Sequence, residues 1–176
     1  MHADPLFLDL RIALGNAEPI RTILLEHLAE VAGGNSSALP SQRALLDTGL
    51  AQMIQSIYLA AENILLKIAA SIDGGAPAKD ENWHAALLAR MAHDFPGRRP
   101  AVLSNPSLAI LNELRGFRHV ARNTYAHLLD HDRLISNAGL AIRLLPLLAA
   151  DLDALERYMS ADSDPTLNQP PGWRTS

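Results

Sequence analysis

Leu46, Leu50, Met53, Ile57, Ala60, Ile64 and Ile68 recur in steps of three and four, the spacing that lines one face of an α-helix. They predict a long helix from Ser41 to about Ile72, stopped by Asp73-Gly74-Gly75-Ala76-Pro77. Before it, residues 5–14 form a first helical stretch, which Gly15-Asn16-Ala17-Glu18-Pro19 interrupts. Pro19 suits the first turn of the next stretch, Ile20 to Val31, ended by Gly33-Gly34. A shorter helix from about Asp80 to Ala92 puts Trp83, Leu87, Leu88 and Met91 on one face, and Pro96-Gly97-Arg98-Arg99-Pro100 forces a loop. A further helix runs from about Pro106 to Leu129. The last, about Asn137 to Met159, contains Pro146, which is expected to kink it or to mark its beginning.

No strand signal or internal repeat accompanies this pattern. Leucine and alanine dominate, so the fold class is all-α, an up-and-down bundle of four to five helices with short connections. Residues 1–160 are read as one helical domain. Residues 161–176, with Pro165, Pro170, Pro171 and Gly172, lack an apolar face and are expected to be a disordered tail. At 176 residues the chain is long enough to bury a core without staples.

Composition removes several function classes. There is no cysteine, so disulfides, zinc–thiolate sites and thiol nucleophiles are excluded. No segment approaches the roughly 18 uninterrupted apolar residues of a membrane helix, and no basic leader precedes an apolar run, so a cytoplasmic protein without membrane contact is expected. A net charge of -4 argues against a general nucleic-acid coat protein. Charge is nevertheless uneven: residues 1–40 hold five carboxylates against Arg11 and Arg21, whereas residues 114–127 hold three arginines, two histidines and no carboxylate.

That second stretch carries the candidate chemistry. Arg115, His119 and Arg122 fall at i, i+4 and i+7, and Arg118, Arg122 and Tyr125 form an overlapping stripe. Within it, Arg122-Asn123-Thr124-Tyr125-Ala126-His127 reads Arg-polar-x3-His. An arginine supplies fixed charge for a crowded phosphorane, and a histidine moves a proton near neutral pH, so the pair can cleave a phosphodiester without a metal. Five positions place Arg122 and His127 roughly 140° apart on a regular helix. A distorted helix, or a composite site at a homodimer seam, would bring them together. Asn123 and His127 are i and i+4, so the amide can fix the imidazole tautomer.

The bland alternative is a solvated face whose arginines bridge to Glu113, Asp130 and Asp132. Gly116, costly inside a helix by on the order of 1 kcal/mol, points to close approach of another helix. His84 and His93 have no metal-ligand partner at i+3 or i+4, and neither a metal nor a cofactor is expected. Tyr58 and Glu62, at i and i+4, are expected to pair structurally with an arginine of the basic helix. Arg98-Arg99 is either an extension of an RNA track or merely solvated.

Over about residues 41–135 the chain resembles HepT-like members of the HEPN superfamily, small helical proteins that include toxin ribonucleases of prokaryotic toxin–antitoxin modules. The resemblance rests on Tyr58-x3-Glu62-Asn63, Trp83-His84-x2-Leu87-Leu88-x2-Met91, Arg99-Pro100-x-Val102-Leu103-Ser104, Leu114-Arg115-Gly116-Phe117-Arg118-His119 and Arg122-x2-Tyr125-x3-Leu129-Asp130, in that order. The superfamily's Arg-polar-x3-His signature falls on Arg122, Asn123 and His127. The resemblance implies a homodimer whose two signatures face one cleft, metal-independent endoribonuclease activity on RNA, and control by a cognate nucleotidyltransferase antitoxin. It implies His127 as the proton carrier, Arg122 as the transition-state clamp, and Arg115, Arg118 and His119 as holders of the flanking phosphate.

Two departures leave alternatives open. Where adenylylated HepT proteins carry a tyrosine two residues after the signature histidine, this chain has Leu129; Tyr125 is the nearest phenol and the candidate for modification. In a branch with Phe-Arg-His and Arg-x2-Tyr segments the position of His127 is expected to vary, leaving His119 as the active imidazole or no catalysis. The rival function is a catalytically inactive interaction module, or an antidote, that binds a nucleotide or the nucleotidyltransferase partner.

Overall fold

The computed structural model describes residues 4–33, 39–78, 80–123 and 130–162, and of residues 122, 123 and 162 the backbone alone. Among them the helices are α1 (Pro5–Gly15), α2 (Glu18–Ala32), α3 (Pro40–Ser71), α4 (Trp83–Met91), α5 (Asn105–Asn123) and α6 (His131–Asp162). The starts follow local chemistry. Asp4 accepts from Leu6 N at 2.9 Å and Pro5 opens α1, while Gln42 turns back to accept the Leu39 N–H at 3.0 Å before Pro40 opens α3.

Cross-bridges give the direction of each helix. Asp9 on α1 pairs with Lys67 on α3 at 3.8 Å, and Arg11 pairs with Asp153 and Glu156 on α6. Arg21 on α2 reaches Ile142 of α6, and Asp47 near the start of α3 meets His131, the first residue of α6, at 2.8 Å. Therefore α1 and α2 rise together as one broken limb, α3 and α6 both descend, and α5 rises between them, its start tied by Ser104 to Asp151. The result is an up-and-down bundle with α4 set into the connection from α3 to α5. The all-α bundle expected from the periodicity is present, and its segments number six when the two halves of the first limb are taken separately.

The two long helices α3 and α6 form the centre, with the first limb and α5 both packed on them. Leu50, Ile54, Ile57, Ala61, Ile64, Leu65 and Ile68 of α3 are buried, an arc wider than the predicted stripe because α3 meets neighbours on several sides. Burying each large aliphatic side chain contributes roughly 1.5–3 kcal/mol. By length and composition α3 is the one described helix able to cross a membrane, yet its apolar arc faces the other helices of the bundle.

Two predicted features need correction. Helix α6 begins neither near Asn137 nor at Pro146; it starts at His131 and continues through the proline. Proline lacks the N–H that would bond the carbonyl four residues back. That carbonyl belongs to Ile142, and Arg21 Nε donates to it at 3.0 Å, so another helix supplies the missing donor. Arg21→Ala is therefore expected to cost about 1–3 kcal/mol through an orphaned buried acceptor. In a Pro146→Ala background the backbone N–H is restored, and the same change should become nearly neutral. A urea-unfolding double-mutant cycle checks this, strictly additive effects being the contrary result.

The second correction concerns Arg99 of the Arg98-Arg99 pair, which is neither solvated nor open to an RNA track. Arg99 is buried and donates to both oxygens of Asp73, Nε at 2.7 Å and Nη2 at 2.8 Å, while Arg90 Nε reaches Asp73 at 2.8 Å. Arg98 donates to the Ile72 carbonyl at 2.9 Å. The three guanidinium groups flank the Phe95 ring at 5.4–5.9 Å from its centroid. This knot fastens the end of α3 to α4 and to the loop before α5.

Candidate functional site

Helix α5 carries Arg115, Arg118 and His119 at i, i+3 and i+4, so all three face one way. Opposite them stand the start of α4 and the turn before it, where Asp80 accepts from Asn82 N at 2.8 Å and delays the helix to Trp83 instead of the predicted Asp80. Between the two lies an open cavity of about 750 Å³ lined by Glu81, His84, Arg115, Gly116, Arg118 and His119, among others. A Cβ at Gly116 would meet nothing within 4 Å among the described residues, so no described helix approaches it; the glycine opens the cavity wall instead.

Buried polar groups of α3 support that wall. Tyr58 and Glu62 are both almost wholly inaccessible, and Tyr58 donates to Glu62 Oε1 at 3.0 Å. His84 Nδ1 bonds the same Glu62 oxygen, and His84 Nε2 lies 3.2 Å from Arg118 Nη1. A guanidinium only donates, so Nε2 accepts and the imidazole proton sits on Nδ1, directed at the carboxylate. The chain Tyr58, Glu62, His84, Arg118 thus runs from the core to the cavity. Among the described residues Glu62 reaches the basic helix through His84, with no direct arginine pairing of the kind expected from the sequence.

Burial, followed by the adjacent Glu62 carboxylate, pushes the Tyr58 phenol well above its ordinary value, against smaller opposing pulls from Arg118 and Arg115. A folded value above the unfolded one, near 10, means the native state holds a proton the unfolded chain releases. The corresponding stability is full below about pH 10 and is lost as pH rises toward the folded value, at ~1.4 kcal/mol per pH unit. Unfolding free energies measured between pH 9 and 12 should fall more steeply for the wild type than for Tyr58→Phe; parallel curves would contradict this.

Arg115 is the other notable group. Its Nε is buried without a hydrogen-bond partner among the described residues. Neither Arg115 nor Arg118 makes an ion pair with Glu113, Asp130 or Asp132 among those residues, so the solvated-bridge reading does not describe them. The cavity therefore presents two guanidinium groups, with His84 and His119 beside them, suited to an anion. No three His, Asp or Glu side chains of the described residues come together to hold a metal ion.

Arg122 and Asn123 occupy the end of α5, Arg122 one turn beyond Arg118; their side chains, and all of Tyr125 and His127, lie outside the described residues. On the far side of that segment, His131 is anchored to the buried Asp47. His93, the other histidine near α4, bonds the Ala89 carbonyl at 2.7 Å and stays away from the cavity.

A family model described as HepT-like protein matches residues 49–159, more than half of the chain. The chain belongs to the HepT-like family. HepT-like proteins are part of the HEPN superfamily, generally associated with toxin–antitoxin modules. No curated protein and no solved structure matches this HepT-like chain. The match begins at the start of the buried part of α3 and ends near the end of α6, so it includes every residue of the cavity wall. Sequence reasoning undervalued His84, whose partner is 22 positions away. A carboxylate on the apolar arc of a core helix was the available signal, because a buried Glu62 demands a partner.

Proposed function

We propose that this HepT-like protein is the toxin of a toxin–antitoxin module, a metal-independent endoribonuclease acting as a homodimer. The observation that carries the reading is the convergence of Arg115, Arg118 and His119 on one open cavity, a single turn before Arg122. In this reading these three hold the phosphate flanking the scissile bond, and Arg122 from one or both protomers stabilises the dianionic phosphorane. His127, oriented by Asn123, carries out a proton transfer as the ribose 2′-oxygen attacks phosphorus and the 5′-oxygen leaves. The products are a 2′,3′-cyclic phosphate and a 5′-hydroxyl. A nucleotidyltransferase antitoxin restrains the toxin, and Tyr125 is the phenol available for modification.

Expression in cells tests it. The wild type should arrest growth, and Arg122→Ala or His127→Ala should restore it. Equal harmlessness of wild type and both variants would instead indicate an interaction module or antidote.

A further inference from the structure

We infer that His84, oriented by Glu62, is the general base of the reaction, accepting the ribose 2′-hydroxyl proton at Nε2. This assignment rests on the ribonuclease reading above and adds to it a residue outside the Arg122-Asn123-His127 signature. Three features of the cavity carry it. Arg118 Nη1, which can only donate, lies 3.2 Å from Nε2, so in the resting site that nitrogen carries a lone pair directed at Arg118 in the cavity wall. Glu62, 4% exposed, holds Nδ1–H from behind, which fixes the tautomer and stabilises the imidazolium formed when Nε2 takes a proton. Tyr58 fastens that carboxylate from the core side and Trp83 lies against the ring at 3.8 Å, so the imidazole is held from several directions.

Arg118 then acts as a substrate-sensitive cover. A phosphodiester entering the cavity competes for the Arg118 guanidinium, and Arg115 on the same wall adds a second positive charge. As Arg118 turns to the phosphate, Nε2 becomes available to a hydroxyl beside it. The 2′-oxygen to phosphorus bond forms as its proton passes to His84 Nε2, and the phosphorus to 5′-oxygen bond breaks as His127 gives that oxygen a proton. The two imidazoles end with exchanged protonation states and re-equilibrate with water. The charged and titratable groups facing His84 are Tyr58 and Glu62 from α3, Glu81 from the turn before α4, and Arg115, Arg118 and His119 from α5.

The test follows cleavage of a labelled structured RNA in EDTA from pH 5 to 9 by wild type, His84→Gln, His84→Ala and His127→Ala, with folding checked by circular dichroism. Glutamine keeps both contacts, accepting from Arg118 and donating to Glu62, but takes no proton. His84→Gln should be folded, cut at least about 100-fold more slowly and lose the acidic limb of the wild-type pH–rate profile. Imidazole added to His84→Ala should speed cleavage. A His84→Gln enzyme with the wild-type rate and profile, beside an inactive His127→Ala, overturns the assignment and leaves the ribonuclease reading intact. Slow His84→Ala without imidazole rescue, with an unaltered profile in His84→Gln, overturns it in favour of a structural role. A wild type that does not cut removes both.

Discussion

Asp73→Ala is expected to destabilise the protein by about 3–5 kcal/mol, because it strands a fully buried guanidinium. Asp73 and Arg99 side chains are each 0% exposed and share two hydrogen bonds. Removing the carboxylate leaves Arg99 only the carbonyls of His93, Pro100 and Arg90, which bear no compensating charge. Arg90, more exposed and facing the Phe95 ring, loses less. Asp73→Asn should cost less than alanine because one acceptor survives, and Asp73→Ala with Arg99→Met should recover part of the loss by removing the unpaired charge. Urea unfolding of the four proteins checks this; an Asp73→Ala protein within about 1 kcal/mol of wild type would contradict the burial argument. Function follows, since the knot anchors α4, and α4 carries His84 to the cavity.

Arg122→Ala should reduce RNA cleavage by about 10²–10³-fold while leaving stability nearly unchanged. In the proposed mechanism the guanidinium meets charge that develops only in the transition state, so the loss belongs in kcat more than in KM. Arg122→Lys should restore little, because an ammonium cannot present two fixed donors to a phosphorane. By contrast, Arg115→Ala and Arg118→Ala act on bound phosphate and should raise KM more than they lower kcat. Equal effects of all three substitutions on KM alone would leave the proposed division of labour without support.

The helices were readable wherever an apolar stripe ran against a single core. The bounds of α3 are Pro40–Ser71 against a predicted Ser41 to Ile72, because the stripe and the Asp-Gly-Gly stop are both local signals. That α6 runs through Pro146 has a tertiary reason: the donor that satisfies Ile142 comes from Arg21, 121 residues away. Distance along the chain also hid the knot, since nothing near Arg99 in sequence announces Asp73, 26 residues earlier. At the site, i, i+3 and i+4 spacing alone brought Arg115, Arg118 and His119 to one face, and the cavity lies on that face. His84 had no such local sign. Its significance arises from Glu62 on another helix, and the buried carboxylate was visible only as a polar residue on an apolar arc.

The most direct measurement is the chemistry of the ends left on a labelled structured RNA incubated with the purified wild-type protein in EDTA, beside Arg122→Ala and His127→Ala. The account predicts 2′,3′-cyclic phosphate and 5′-hydroxyl ends with the wild type alone. Intact RNA in the presence of folded protein, or cleavage undiminished in either variant, would contradict it.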